Sequence, residues 1–144
     1  MSEASREAIL ALMREYCDSI DRGDLAGCAE LFADGAWGIV GDLAHGSAAV
    51  KAQLDNVTLY DGVPLTRHLM SNAQIFVDED DQTARAQSCI TVMQCVPDRL
   101  PMQAIFIGSY ADRFEKREGN WCFIERAITP DLVGDLSAHR EDMA

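Results

Sequence analysis

Apolar residues change their spacing near residue 65 of this 144-residue chain. Before that point they recur at three- and four-residue intervals, the period of amphipathic helices. After it come four extended segments, Thr66 to Asp78, Thr83 to Val96, Met102 to Glu115 and Asn120 to Thr129. Asp78-Glu79-Asp80-Asp81, Pro97-Asp98-Arg99-Leu100-Pro101 and Lys116-Arg117-Glu118-Gly119-Asn120 separate them, connections short enough for antiparallel neighbours. Helices followed by a meander of strands predict an α+β domain.

The N-terminal half supplies the helices. Ile9, Leu12, Met13, Tyr16, Cys17 and Ile20 form one apolar stripe on a helix that Ser5 can cap and that runs to about Arg22. Gly23 suits its stop, and Asp24 caps a short helix to Phe32. Ala36 to Val40 resembles a short strand, and Ser47 is positioned to cap a helix from Ala48 to about Leu59. The chain is expected to be one domain over residues 1–144, its core about 5–135 and its polar tail, from Asp131, frayed.

Composition narrows the partners. A formal net charge of -12 repels phosphate backbones and anionic lipid, so neither nucleic acid nor a membrane is an expected partner. Neither a signal-peptide pattern nor an apolar run near 20 residues is visible, which predicts a cytoplasmic protein. The five cysteines lack metal-ligand spacing and read as buried reduced thiols. No metal and no cofactor are expected.

Three polar residues are hard to explain as packing. Asp21 sits in the last turn of a helix, where its charge opposes the macrodipole, which suggests a partner elsewhere in the fold. His68 shares a strand face with Met70, Asn72, Gln74 and Phe76 by alternation. Arg126 interrupts Cys122, Ile124 and Ile128 on one face of the last strand, opposite Trp121 and Phe123, and must meet an anion: Asp21, a network around Glu125, or a substrate oxygen. Trp37, between residues that leave space beside it, is a pocket candidate. His45 and His139 read as surface residues.

The order of elements, together with Tyr16-x4-Asp21-x-Gly23-Asp24, Leu31-Phe32-Ala33-Asp34-Gly35-Ala36, Arg67-His68 opening the first long strand, Gly108-x-Tyr110-x-Asp112-x-Phe114 and Trp121-x-Phe123-x-x-Arg126, resembles the SnoaL-like branch of the nuclear transport factor 2-like superfamily. The resemblance implies a cone-shaped barrel of three N-terminal helices on a curved, mixed, mostly antiparallel sheet, enclosing an apolar pocket in a homodimer or higher homo-oligomer. Within it the residues look most like the dehydratase types with an Asp/His dyad. Asp21 matches their helix aspartate, His68 their strand histidine, Arg126 their last-strand arginine, and Tyr16 the tyrosine of the steroid dehydratase type. The ketosteroid isomerase pattern matches poorly, because Trp37, Gly38 and Ile39 stand where a basic carboxylate belongs.

The chemistry of those residue types agrees. An imidazole, with an ordinary pKa near 6.5, suits removal of a carbon-bound proton at neutral pH. A carboxylate orients it, a phenol can donate to a leaving or enolate oxygen, and an arginine can hold negative charge. The expectation is a cofactor-independent lyase, dehydratase-like, using His68, Asp21, Tyr16 and Arg126 on a hydrophobic ring-containing substrate such as a steroid, aromatic or polyketide. Trp37, Met70, Asn72, Met93, Phe106 and Ile124 are expected to line its pocket. A non-catalytic binding or assembly module of the same fold is the alternative; an isomerase or cyclase, or the small subunit of a ring-hydroxylating dioxygenase, is a weaker one.

Overall fold

The computed structural model describes residues 2–143. Helix α1 (Ser2–Asp21) leads into α2 (Leu25–Glu30), a hairpin of β1 (Ala36–Ile39) and β2 (Asp42–His45), and α3 (Ser47–Leu54). Four long strands follow: β3 (Thr66–Val77), β4 (Thr83–Val96), β5 (Leu100–Arg117) and β6 (Asn120–Val133). The three helices pack on one six-stranded mixed sheet of order β2-β1-β6-β5-β4-β3, in which only the β1–β6 pair is parallel. Because α1 lies against both β3, at the sheet edge, and β6, three places away, the sheet wraps around that helix.

Local chemistry explains the joints. The α1 terminus closes with Asp24 N–H on the Ser19 carbonyl at 2.8 Å and Gly23 N–H on that of Ile20 at 2.9 Å, the paired bonds of a Schellman stop. Gly23 takes a φ of +83°, and a Cβ there would lie 1.9 Å from the Gly62 carbonyl oxygen. Asp24 caps α2 by accepting from Gly27 N–H at 2.9 Å. Ser5 instead lies inside α1, where its hydroxyl donates to Asp81 at 2.7 Å, so the helix begins earlier than its apolar stripe. Helix α3 starts at Ser47 with Gly46 as its cap and ends at Leu54, shorter than expected, and the chain beyond it pairs Val57 with Arg140.

Alternation fails at several register shifts, two of which move candidate residues. In β3 the register shifts between Ser71 and Gln74, with Asn72 at φ +53°. Thr66, His68 and Met70 therefore face inward before the shift and Ile75 and Val77 after it, while Phe76 is turned outward. In β6 the register shifts between the Arg113–Glu125 and Phe114–Phe123 pairs, which leaves Ile124 as the extra residue. Trp121, Phe123, Arg126 and Ile128 are consequently all buried, correcting the separation of Trp121 and Phe123 from Arg126.

The tail is also ordered against expectation. Thr58 N–H donates to the His139 carbonyl at 2.8 Å, Glu141 N–H to that of Asn56 at 2.8 Å, and the Tyr60 hydroxyl to that of Ala138 at 2.6 Å. Ala138 is buried in the core. Its polar composition conceals backbone groups that pair with the loop after α3. Cys17 and Cys28 are buried thiols as expected, Cys89 and Cys122 are half-buried, and Cys95 is exposed.

Candidate active site

Asp21 ends α1 and His68 is the third residue of β3, so packing the helix on that strand brings together side chains 47 residues apart. His68 Nδ1 lies 2.7 Å from Asp21 Oδ1. The same carboxylate oxygen accepts from the Thr66 hydroxyl at 2.8 Å, and Oδ2 accepts from His68 backbone N–H at 2.8 Å. Each side chain of the pair is only 6% exposed. Burial alone would raise the Asp21 pKa, but the ring and backbone N–H of His68 and the Thr66 hydroxyl outweigh it and hold the carboxyl below its ordinary value. These donors also offset the unfavourable helix dipole. With Nδ1 turned to the carboxylate, Nε2 is the ring nitrogen left for chemistry. Thr66, unnoticed in the sequence, differs from any other strand threonine only through its partner.

Behind the dyad lies an aromatic cluster built around a buried charge. Tyr16 packs edge-on to His68 at 6.4 Å between ring centroids and to Tyr110 at 5.7 Å, and its hydroxyl accepts from Trp37 Nε1 at 2.9 Å. Burial pushes the Tyr16 phenol far up, beyond the counteracting effects of Arg126 and Trp37, so it is a hydrogen donor throughout the ordinary pH range. Arg126, fully buried, donates through Nε and Nη2 to both carboxylate oxygens of Asp112, each at 2.8 Å. Asp112 faces Arg126 directly across β5 and β6 and is none of the three anions anticipated. The guanidinium also stacks 3.8 Å from the Tyr110 ring centroid and 4.4 Å from that of Tyr16. Burial would lower its pKa; the charge and hydrogen bonds of Asp112 win and keep it raised. Arg126 is thus paired through Nε and Nη2 with Asp112 rather than with the dyad, keeps Nη1 buried without a partner, and meets the site through the Tyr16 ring. An inward Asp two residues beyond Tyr110 in an alternating strand was the available signal.

The expected pocket lining divides. Tyr16 and Trp37 are buried, and Met70 and Phe106 pack half-buried against the core. Asn72 instead sits at the β3 bulge, exposed, and borders an outer-face concavity of about 320 Å³ with Gln74, Gln87, Cys89 and Ser109. Met93 points outward beside Arg67, across a second concavity of about 450 Å³ that also reaches Asp21, Thr66 and Gln94. Ile124 is the bulge residue of β6 and lies outside the core cluster. The placements of Asn72 and Ile124 correct the expectation, each at a strand bulge, whereas Met93 borders the same concavity as Asp21.

His139 is the largest departure. Far from a surface tail residue, it is half-buried with Nδ1 inaccessible to solvent and without a partner. Burial, and then the charges of nearby His68 and Arg140, push its pKa down to about 4 against the opposing effect of Asp21. Among the described residues no three His, Cys, Asp or Glu side chains cluster as metal ligands, and no helix is long and apolar enough to cross a membrane.

A wrapped sheet closed over helices, with a buried carboxylate–imidazole pair where the first helix meets the first long strand, defines a small α+β barrel protein of the nuclear transport factor 2-like, cystatin-like class. The chain belongs to the SnoaL-like domain family, whose model matches residues 2–127. A comparison with curated protein sequences finds no match. Among solved structures it is similar to Rv3472, a Mycobacterium tuberculosis protein of unknown function, with 26% identity, 92% of this chain and 75% of that one covered, and a TM-score of 0.76. It is also similar to a Novosphingobium aromaticivorans protein provisionally assigned as a scytalone dehydratase, with 25% identity, 93% and 89% coverage and a TM-score of 0.76. A second protein from that organism, described as NTF2-like with a cystatin-like fold, shares 25% identity over 87% of this chain and 80% of its own, with a TM-score of 0.72.

Proposed function

We propose that the protein is a cofactor-independent lyase that eliminates water from a hydrophobic, oxygenated ring compound. The buried Asp21–His68 dyad carries this reading. His68 Nε2 takes the proton from carbon, the C–H electrons form the new double bond, and the C–O bond breaks. The imidazolium returns its proton to the departing oxygen, so water leaves and the base is restored. Asp21 stabilises the imidazolium and fixes the tautomer, as a dyad carboxylate does elsewhere. Tyr16, whose oxygen accepts from Trp37 and lies within hydrogen-bonding reach of the Tyr110 hydroxyl, is the proton donor to an enolate or leaving oxygen. The provisional dehydratase assignment of a structural relative supports the reaction class.

The test is ultraviolet detection of conjugated enone formed from a panel of cyclic β-hydroxyketones. His68→Ala is expected to lower turnover about 10²–10⁴-fold with little change in affinity, and Asp21→Asn comparably. Full activity in His68→Ala would overturn the catalytic assignment. A second reading, a non-catalytic small-molecule or assembly module, draws on the packing of Tyr16 and Trp37 into the core, where they leave little open lining. We also propose that copies of the chain associate through the outer sheet face.

A further inference from the structure

Two polar atoms near the dyad are buried without partners: Gln94 Oε1 and His139 Nδ1. Their neighbourhood is shared. Gln94 Nε2 donates to the Pro64 carbonyl at 3.0 Å and to that of Ala138, the residue before His139, at 3.2 Å. Those two carbonyls fix the amide orientation, so the orphan is an acceptor, in a side chain that is only 1% exposed. Across the β3–β4 ladder Gln94 faces Thr66, whose hydroxyl bonds Asp21. Gln94, Thr66 and Asp21 also border the same concavity. A buried polar group without a partner is costly, and native proteins keep few of them.

We propose that Gln94 and His139 form a polar subsite for a hydroxyl group on a neutral ring ligand, closed over by the segment from Leu136 to Arg140. A hydroxyl both donates and accepts, so one group satisfies the amide oxygen and an imidazole nitrogen together. A carboxylate is disfavoured beside anionic Asp21 in a chain of net charge -12. Since neither orphan atom meets solvent, the segment must lift to admit the ligand. Its tethers are the bonds of Tyr60 to Ala138, Arg99 to the Ser137 carbonyl and Thr58 to His139. The inference deepens the lyase reading and rests on the dyad being a ligand site.

The experiment is ring-nitrogen NMR of the histidines in the native protein, titrated with 2-naphthol and with its methyl ether. The naphthol is expected to shift the His139 ring resonances and to bind roughly five- to tenfold more tightly than the ether, one hydrogen bond's worth of discrimination. In His139→Phe that ratio should fall to about one. Equal affinities in the native protein, or a His139 ring unmoved by the naphthol, overturn the subsite and mean that water satisfies the two atoms. If the His68 ring responds to both compounds while His139 responds to neither, the subsite fails and the ligand-site reading survives; if neither ring responds, both fail. A responding His139 with full enone formation in His68→Ala leaves the subsite standing and removes the lyase.

Discussion

A histidine held neutral inside a protein makes folding depend on pH. His139 is pushed down to about 4 by burial, then by the charges of His68 and Arg140, with Asp21 opposing. Its unfolded value is near 6.5, so between about pH 6.5 and 4 the unfolded chain binds a proton that the native one refuses. The contribution is complete above about 6.5 and is lost as pH falls, at up to about 1.4 kcal/mol per pH unit and about 3 kcal/mol in all. Asp21, lowered in the fold, loses its stabilisation only at lower pH, below the ordinary carboxylate range. Urea denaturation across this range should show a slope that His139→Leu flattens; an unchanged slope would mean that His139 is not its source. Arg126→Met should cost about 3–5 kcal/mol by leaving Asp112 buried and unpaired, with a smaller loss when Asp112→Leu is added, as the same denaturation measurement would show. The sequence exposes Asp21, His68 and Arg126 because each is physically awkward where it stands. It does not show which anion meets Arg126, and it hides His139, whose burial comes from backbone pairing rather than from any apolar pattern.

Elements were legible where period and punctuation agree, as in α1 and the four long strands. Their faces were less so, because one inserted residue reverses every side chain beyond it. Nothing in Ser71-Asn72-Ala73-Gln74 or Phe123-Ile124-Glu125 announces a bulge, yet these two stretches decide that Phe76 faces out and that Arg126 joins Phe123 inside. Strand β2 was missed because Asp42 to His45 is short and gains its place only by pairing with β1. The α1–α2 corner, by contrast, was readable from Gly23 alone. Gly23→Ala should prove more damaging than an ordinary helix-end change, since it combines a left-handed backbone with a collision at the Gly62 carbonyl. A loss above about 1 kcal/mol in denaturant midpoint is expected. Because α1 carries Asp21, the ring signal of His68 should shift as well; a fully stable variant with an unmoved His68 would show that the corner does not set the dyad.

On the scale of the whole molecule, the middle of the sheet's outer surface is poorer in charge than the rest of the chain. Registered across β3, β4, β5 and β6 are Leu69, Thr91, Ile107 and Leu132, and in the next row Ser71, Cys89, Ser109 and Thr129. None of these eight is charged, although Asp and Glu together number 24 in the sequence. Leu69 is 50% exposed and Leu132 66%. Two copies carrying -12 each repel over most of their surfaces, so a patch poor in charge, its Asp131 held by the Ser109 hydroxyl, is where they can approach. A stable pair needs about 800 Å² from each partner, roughly a tenth of the 7575 Å² of this chain and within the reach of a four-strand face. Sedimentation velocity should therefore give about twice the 15.8 kDa chain mass, with weaker association at low salt, where repulsion is least screened. Ile107→Lys places a charge in the middle of the patch on both copies and should yield monomers with unchanged circular dichroism. The dyad lies on the opposite face of the sheet and should keep its His68 ring signal in that monomer. Native protein that sediments as a monomer, or an Ile107→Lys variant that still pairs, would move the interface elsewhere or abolish it.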